Sequence, residues 1–518
     1  MTTLDQLTEE IQSAWAADQT GDMRRYSGII NALRKLPEVS DLKKESLEPF
    51  LVALHEPIEH LPPCAETLAE TAISASVSIA NAYRYLAEHA KGKRRVNFFR
   101  KIHQIYCISG QIGTESGNWN HAVHAVSLAA EAARCVALEE TKKDEQLQYG
   151  RRAYELKQKS AEWALKIGEV EHAANFTSYA GNIAEFMVEL SEGEEQAMFR
   201  KHWYERKRES ATLFEKIGQP RNVVNGLAMA SRAARSIVES GKRPQEKLMY
   251  LKEAYECNIK SGETAVRIGM RKEGMHAFAI ARDVANDVAE TSQNFEEQLT
   301  YLHLGYTSVH RAVQLAIELD DLEHATHCFS FAGGSAMQIV EKSKDLKERI
   351  QYAGHAAADF GQSGITANEI QNWNHGAHQF SFLSKARLYL AVLDKDNRAE
   401  HLVAVHEAIE RSLHAQKVLA VDEAPKPLFH NIENAVYAYM LQGEYVRAYQ
   451  SALDLKKMSS AQAKKAPQLI AVCRELKEGK NGYVALRAFE HFVRKEQIVP
   501  IIYNGLLDHC RALLPQKP

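Results

Sequence analysis

Histidine recurs at one position of the sequence about every fifty residues. The four members of this column are His121, His172, His324 and His375. Two further copies hold Asn222 and Glu273 there. Imidazoles bind metals and titrate near neutral pH, so such a column is compatible with a metal site or a pH sensor. The alternative is that each histidine lies early in a helix and caps it or bridges to the next copy. Stacked copies lie about 10 Å apart, too far for shared coordination. This favours the alternative, and we predict no metal and no cofactor.

A second column is basic, and we call it the basic ladder. Its members are Arg100, Arg151, Lys201 and Lys252, and His303 follows in the same register. A row of positive charge can follow a polyphosphate backbone or an acidic segment of a partner. The alternative is a solvated ridge at the start of a set of helices, balanced by the acidic segments just before it.

Motifs for covalent chemistry are scarce. The sequence contains no P-loop, GxGxxG, GxSxG or HExxH pattern. Arg271 and His276 match an RxxxxH spacing used by some helical ribonucleases, across a predicted turn between helices. The seven cysteines are widely spread and lack a CxxC pair, which is typical of single buried thiols rather than of disulfides or zinc ligands.

Composition bounds the class of protein. The chain has 518 residues, with 64 Lys and Arg against 67 Asp and Glu, a net charge of −3. The apolar content of 45% and charged content of 25% are typical of a packed soluble protein and exclude wholesale disorder. The first residues do not resemble a secretory signal, and no stretch is long and apolar enough to span a bilayer. We therefore predict a cytoplasmic protein without membrane insertion.

The columns belong to a repeat of about 51 residues. Its clearest mark is a turn dipeptide, seen as Ser116-Gly117, Ile167-Gly168, Ile217-Gly218, Ile268-Gly269, Leu319-Asp320 and Ile370-Gln371. Before each turn stands a small residue, as at Ser160 and Ser261. After each turn small residues follow in columns such as Ala173, Ala180 and Ala184. Spacings of 7 and 4 residues place these small side chains on one helical face, where neighbouring backbones approach closely. Each unit is therefore predicted to be helix A, a short turn, helix B and a charged linker.

The columns resemble the tetratricopeptide repeat. The family places one small residue in helix A and another twelve residues later in helix B, and Ala161 and Ala173 match this pair. It then has an aromatic residue four positions and an alanine seven positions after the small residue of helix B, and Phe278 and Ala281 match these two positions in another repeat. The unit departs from the family in its length of about 51 rather than 34 residues, which implies longer helices. The resemblance implies an all-α fold, a right-handed superhelical solenoid of stacked antiparallel helix pairs. It covers roughly residues 100–390.

In tetratricopeptide proteins helix A lines the concave surface, so the resemblance also implies a partner-binding groove. The candidate lining residues are Glu155, Gln158, Glu162, Glu205, Arg208, Glu256 and His310. This lining changes from repeat to repeat, which suits one particular protein or peptide. A base-by-base RNA reader would instead repeat the same side-chain pair in each unit.

Three regions are predicted along the chain. Residues 1–62 form an N-terminal helical cap, with helices starting near Leu4, Met23 and Leu42. Residues 63–396 hold about six repeats, and an isolated helix B over 66–90 lies at the start of this region, before the first complete repeat. Residues 397–518 form a C-terminal helical region or cap.

The predicted function is a non-catalytic scaffold that binds a protein or peptide in the groove of the solenoid. One alternative is a protein that binds RNA or single-stranded nucleic acid through the basic ladder. A second alternative is a helical enzyme with its site in the C-terminal region.

Overall fold

The computed structural model describes residues 4–16, 28, 31–32, 49–50, 53, 66–241, 243–418, 426–457, 466–478 and 500–512. Within these ranges every regular element is an α-helix, which confirms the predicted all-α class. The chain divides into two compact units, residues 1–264 and 265–518.

The first unit contains nine described helices. They are α1 (Leu4–Ala16), α2 (Glu66–His89), α3 (Lys93–Glu115), α4 (Trp119–Glu139), α5 (Lys143–Lys166), α6 (Val170–Leu190), α7 (Gly193–Lys216), α8 (Pro220–Ser240) and α9 (Pro244–Arg267), of which the last three residues fall in the second unit. From α2 to α8 each helix packs against the next one in the chain.

The second unit contains ten described helices. They are α10 (Arg271–Thr291), α11 (Phe295–Glu318), α12 (Leu322–Lys342), α13 (Leu346–Glu369), α14 (Trp373–Leu393), α15 (Arg398–Val418), α16 (Lys426–Gln442), α17 (Tyr445–Lys456), α18 (Ala466–Lys477) and α19 (Pro500–Ala512). Successive helices from α10 to α18 pack on one another, and α19 packs on α14 and α16.

The predicted repeats correspond to six helix pairs, from α3 and α4 (repeat 1) to α13 and α14 (repeat 6). Helix A has 23 residues in repeat 1 and 24 in the others, whereas every helix B has 21. The extra length over a tetratricopeptide unit thus lies in the helices, as predicted. The isolated helix B predicted before the array is α2.

Each turn between helices A and B needs one residue in the left-handed conformation. Gly168 has φ 83°, and its N–H and that of Glu169 donate to the carbonyls of Leu165 and Ala164, closing the end of α5. Gly117, Gly218 and Gly269 have the same positive φ. Asp320 and Gln371 occupy this place in repeats 5 and 6 with φ 55° and 60°. The turn dipeptide therefore marks the point where helix A must stop.

The small-residue columns lie where helices approach each other. Ala173, Ala180 and Ala184 are fully buried. The serines of the helix-A column are also buried. The hydroxyls of Ser160 and Ser363 donate to carbonyls of the preceding helix B, those of Val123 at 2.8 Å and Thr326 at 2.7 Å. At these two positions the hydroxyl thus satisfies its hydrogen bond without requiring a larger side chain.

The predicted charged linkers differ from the observed ones. Only two or three residues separate each helix B from the next helix A. Part of each predicted linker belongs to the first turn of helix A instead, where acidic residues such as Asp144 and Glu145 of α5 lie. Carboxylates are favourable there because the amino end of a helix carries a partial positive charge.

The ends of the chain are packed on the repeats of their own units. In the first unit Leu7, Ile11 and Phe50 are buried in one apolar cluster with residues of α2 and α3. The helix starts predicted near Met23 and Leu42 lie outside the described residues. In the second unit α16 to α19 contribute to a single core with α12 to α15, which includes Tyr389 and Leu506.

Candidate functional site: the exposed face of the A helices

The basic ladder is neutralised by the following repeat. Arg100 pairs with Glu140 at 2.6 Å and with Glu145. The ladder continues with Arg151 to Glu195 at 2.5 Å, Lys201 to Glu246 at 2.8 Å and, in the second unit, His303 to Glu348 at 3.0 Å. Lys252 also has an interaction partner. Glu140 lies in the linker before α5, whereas Glu145, Glu195, Glu246 and Glu348 stand 44 or 45 residues after their partners, in the first turn of the next helix A.

The ladder does not lie at the helix starts, where the sequence placed it. Arg151 is in the third turn of α5, eight residues after Lys143, and Lys201 has the equivalent place in α7. The first turns hold the acidic partners instead. Acidic side chains in the first turn interact favourably with the helix dipole, whereas a basic ladder at that place would not.

The predicted partner-binding residues lie on the exposed side of the A helices, which we call the helix-A face. Glu155, Glu162, Glu205, Arg208 and Glu256 are exposed. Gln158 and His310 are half-buried. The structure thus makes all seven accessible, and their role in binding stays a prediction.

Several of these side chains already have neighbours. The Arg208 guanidinium lies 2.6 Å from Glu253 and donates to the Tyr204 hydroxyl at 2.8 Å. Glu205 lies 3.5 Å from His202. Within the part of the chain that the structure describes, Gln158, Glu162 and Glu256 make no hydrogen bond or ion pair.

One cleft on the helix-A face is lined both by a member of the basic ladder and by a predicted partner-binding residue. Its volume is about 380 Å³, and it is lined by His103, Gln148, Tyr149, Arg151, Arg152 and Glu155. Arg152 lies 3.7 Å from Glu155. Burial lowers the pKa of His103, whose ring contacts Tyr149 edge to face. The cleft thus combines a neutral imidazole, a phenol and charges of both signs.

In the second unit the helix-A face has a different character around His310. Its Nε2 lies 3.2 Å from the buried Asp359 carboxylate, to which the Tyr306 hydroxyl also donates at 3.4 Å. The Tyr306 ring lies 4.4 Å from that of His310 and 5.3 Å from that of Tyr352. Exposed apolar side chains on the same two A helices include Leu304 and Ile317 of α11 and Ile365 of α13.

Sequence reasoning missed the column that the tyrosines of helix A contact. Tyr154, Tyr204 and Tyr306 occupy one position of helix A in their repeats, and each meets an aromatic ring from the next repeat. The partners are Phe199 at 5.7 Å, Tyr250 at 5.4 Å and Tyr352 at 5.3 Å, all edge to face. The 50- and 51-residue spacing of Tyr149, Phe199, Tyr250, Tyr301 and Tyr352 was the available signal.

The histidine column lies at the start of the B helices. Asn118, Asp321 and Asn372 accept the backbone N–H of His121, His324 and His375, so the capping residue is three positions before the histidine. A second column, three residues further on, was overlooked: His124, His276, His327 and His378. Rings of the two columns meet between adjacent repeats, an arrangement that comparison within one column could not reveal.

The described residues carry no further chemical signature. Within the described ranges, no three His, Cys, Asp or Glu side chains are grouped to hold a metal ion, and no described helix is long and apolar enough to cross a membrane. Arg271 and His276 do not flank a turn as expected, since both lie at the start of α10. Arg271 lies 3.4 Å from Glu318, and His276 contacts the ring of His324.

No family model and no curated protein matches the chain. Its architecture is that of a tetratricopeptide-like helical repeat with elongated helices. Consecutive helices stack pairwise in each unit, as in a solenoid, and the right-handed superhelix stays a prediction.

Solved structures with a related chain path are distant. A circular tandem repeat protein is 14% identical over 84% of this chain and 97% of its own, with a TM-score of 0.35. The tetratricopeptide-sensor ATPase of Pyrococcus horikoshii is 11% identical over 87% and 67%, with a TM-score of 0.28. A human IFIT1 dimer bound to PPP-AAAA is 12% identical over 99% and 95%, with a TM-score of 0.20. Scores this low say nothing about function.

Proposed function

We propose that this protein is a non-catalytic scaffold that binds a protein or peptide partner on its helix-A face. The observation that carries the proposal is the pairing of basic-ladder side chains with acids in the first turn of the next helix A, as in Arg151 with Glu195 and Lys201 with Glu246. A ladder neutralised in this way offers little net charge to a phosphate backbone, and nucleic-acid binding depends on such charge.

The helix-A face near His310 supports a protein partner. The centres of protein interfaces are poor in charged residues and rich in aromatic side chains. Tyr306 and Tyr352 supply aromatic rings in contact on α11 and α13, and these two helices also expose Leu304, Ile317 and Ile365. In the first unit the unpaired Glu162 and Glu256 are available to orient a basic group of the partner.

The test is affinity enrichment from the native host with three forms of the full chain. One form is the wild type. The second reverses charges on the helix-A face: Glu155→Lys, Arg208→Glu and Glu256→Lys. The third is a control on exposed helix-B positions with the same change of net charge: Glu189→Lys, Arg232→Glu and Glu239→Lys. We expect a partner that the wild type and the control both retain and that the helix-A variant loses at least tenfold, with all three equally folded by circular dichroism. Equal capture by all three forms would contradict the proposal.

A second measurement addresses the nucleic-acid alternative directly. Binding of a labelled single-stranded RNA is followed at several salt concentrations, with Arg100, Arg151, Lys201 and Lys252 changed to Glu in the comparison variant. We expect the wild type to bind the RNA only weakly and the variant to bind it with a similar affinity. Tight binding that falls steeply with salt and is lost in the variant would replace the scaffold proposal.

A further inference from the structure

Histidine rings of adjacent repeats contact each other at three junctions. His124 of repeat 1 meets His172 of repeat 2 with ring centroids 4.7 Å apart. In the second unit His276 meets His324 at 5.3 Å, and His327 meets His375 at 5.1 Å. All three contacts are edge to face. In each, a ring from the second histidine column packs on a ring from the first column of the next repeat.

We propose that these three histidine pairs form an acid-sensitive seam, in which uncharged rings pack across the junctions at neutral pH and protonation of both rings of a pair forces the junction apart. The pairs lie at the start of the B helices and not on the helix-A face. The proposal therefore goes beyond partner binding and does not depend on it.

Carboxylates contact one ring in two of the three pairs. The His172 Nδ1 lies 3.3 Å from Glu169, and the His324 Nδ1 lies 2.8 Å from Asp321. Their partner rings, His124 and His276, lie about 5 Å away, and two protonated rings at that distance repel each other.

Burial and the neighbouring ring both oppose the second proton. Burial lowers the pKa of His124, and His172 lowers it further. Burial lowers the pKa of His276, as do His324 and Lys272, whereas Glu273 and Asp321 raise it.

In the third pair, no carboxylate is among the groups that shift the pKa of His375. Burial lowers the pKa of His375 to about 4, with His327 and His378 adding to the effect. The His375 Nε2 also lies 3.4 Å from the Ser363 hydroxyl of helix A.

The direction of the pH effect follows from these shifts. A ring whose pKa is below its ordinary 6.5 in the packed junction takes up a proton more readily when the junction is open. The packing is fully stable above about pH 6.5 and is lost as the pH falls toward 4. The Asp321 pKa is held below 3.8, first by its hydrogen bond with His324, so this carboxylate stays ionised through the window.

The chain contains its own control junction. Between repeats 2 and 3 the two columns hold Asn175 and Asn222, whose amides bond within their own helical turns, to the Glu171 carbonyl and to the Gln219 side chain. Among the described residues, the B helices of this junction bring no pair of imidazoles into contact, and His202, which stacks on Tyr154 between the A helices, has no second histidine ring against it. Acid should therefore leave the packing of these B helices unaffected.

Hydrogen exchange on the full chain at pH 7 and pH 5, corrected for intrinsic rates, tests the seam. We expect protection in residues 325–336 and 376–387 to fall about tenfold or more in acid, and protection in residues 223–234 to change less than about threefold. The change of His276, His327 and His375 to Asn should remove the acid effect. Conversely, Asn175→His together with Asn222→His should make the control junction acid-sensitive. The second variant keeps the test decisive if the first fails to fold. An equal loss at all junctions, or no gain in the second variant, would overturn the proposal.

Discussion

Two buried lysines in the first unit show how one residue can set a pH response. The Lys157 ammonium pairs with Glu131 at 3.0 Å. Lys207, one repeat later, has only neutral acceptors: the Asn182 side chain at 2.5 Å and the Ser178 carbonyl and hydroxyl at 3.1 and 3.3 Å. Gly181 leaves room for the Lys207 methylenes, since a Cβ there would lie 3.0 Å from them. Burial lowers the pKa of Lys207 to about 8, which Glu185 only partly opposes.

The change Lys207→Met tests this charge. Between pH 8 and pH 10.5 the unfolded wild type binds the lysine proton that the folded form has lost, so wild-type stability rises with pH in this window. The variant lacks this gain. We expect its free energy of unfolding relative to the wild type to fall by about 3 kcal/mol from pH 7 to pH 10.5.

Urea denaturation at a series of pH values measures this difference, because other titrating groups cancel between the two proteins. The exposed Lys166→Met serves as the control and should show a flat difference. A flat difference for Lys207→Met as well would mean that its pKa is not shifted.

At the scale of the elements, the turns between helices A and B limit the stability of each pair. An L-residue in the left-handed region is strained, whereas glycine is not. Gly168 and Gly218 meet this need, but Gln371 adopts φ 60° between α13 and α14. The strain is compensated by the hydrogen bonds that end α13, including that from the Asn372 N–H to the Ala367 carbonyl at 2.8 Å.

We expect Gln371→Gly to raise the free energy of unfolding by about 0.5–1 kcal/mol, because it removes this strain. The reciprocal change, Gly168→Gln, should lower it by a similar amount. Thermal and urea denaturation of both variants measure the effect. A loss of stability in Gln371→Gly would show that the side chain contributes more than its backbone costs.

At the scale of the molecule, the second unit depends on helices beyond the repeats. The side chains of Tyr389 and Leu390 in α14 are buried in a core shared with α16, α18 and α19. Removal of those helices would expose this core to water, at about 25 cal/mol for each Å² of apolar surface.

A chain truncated after Val418 should therefore lose structure in the second unit. We expect its helices α13 to α15 to exchange amide hydrogens much faster than in the full chain, whereas α4 to α7 of the first unit stay protected. Hydrogen exchange with mass spectrometry reads out both units at once. Unchanged protection of α14 would show that the C-terminal helices are dispensable for the core.

The sequence by itself determined the helix pairs, their length and their turns. These depend on local patterns that repeat in phase, such as Gly168, Ser160 and Ala180, and local patterns reflect the conformation of the chain within a few residues. The exposure of Glu162 and Glu256 followed from the same periodicity.

Only the tertiary structure decided which columns meet. Arg151 meets Glu195, Tyr204 meets Tyr250 and His276 meets His324, and the partners in each case are 44 to 48 residues apart in different columns. The offset between columns arises from how one helix pair packs against the next, and no spacing within one column contains it. This is the physical reason why the basic ladder resembled a free cationic surface in the sequence and is a set of ion pairs in the fold.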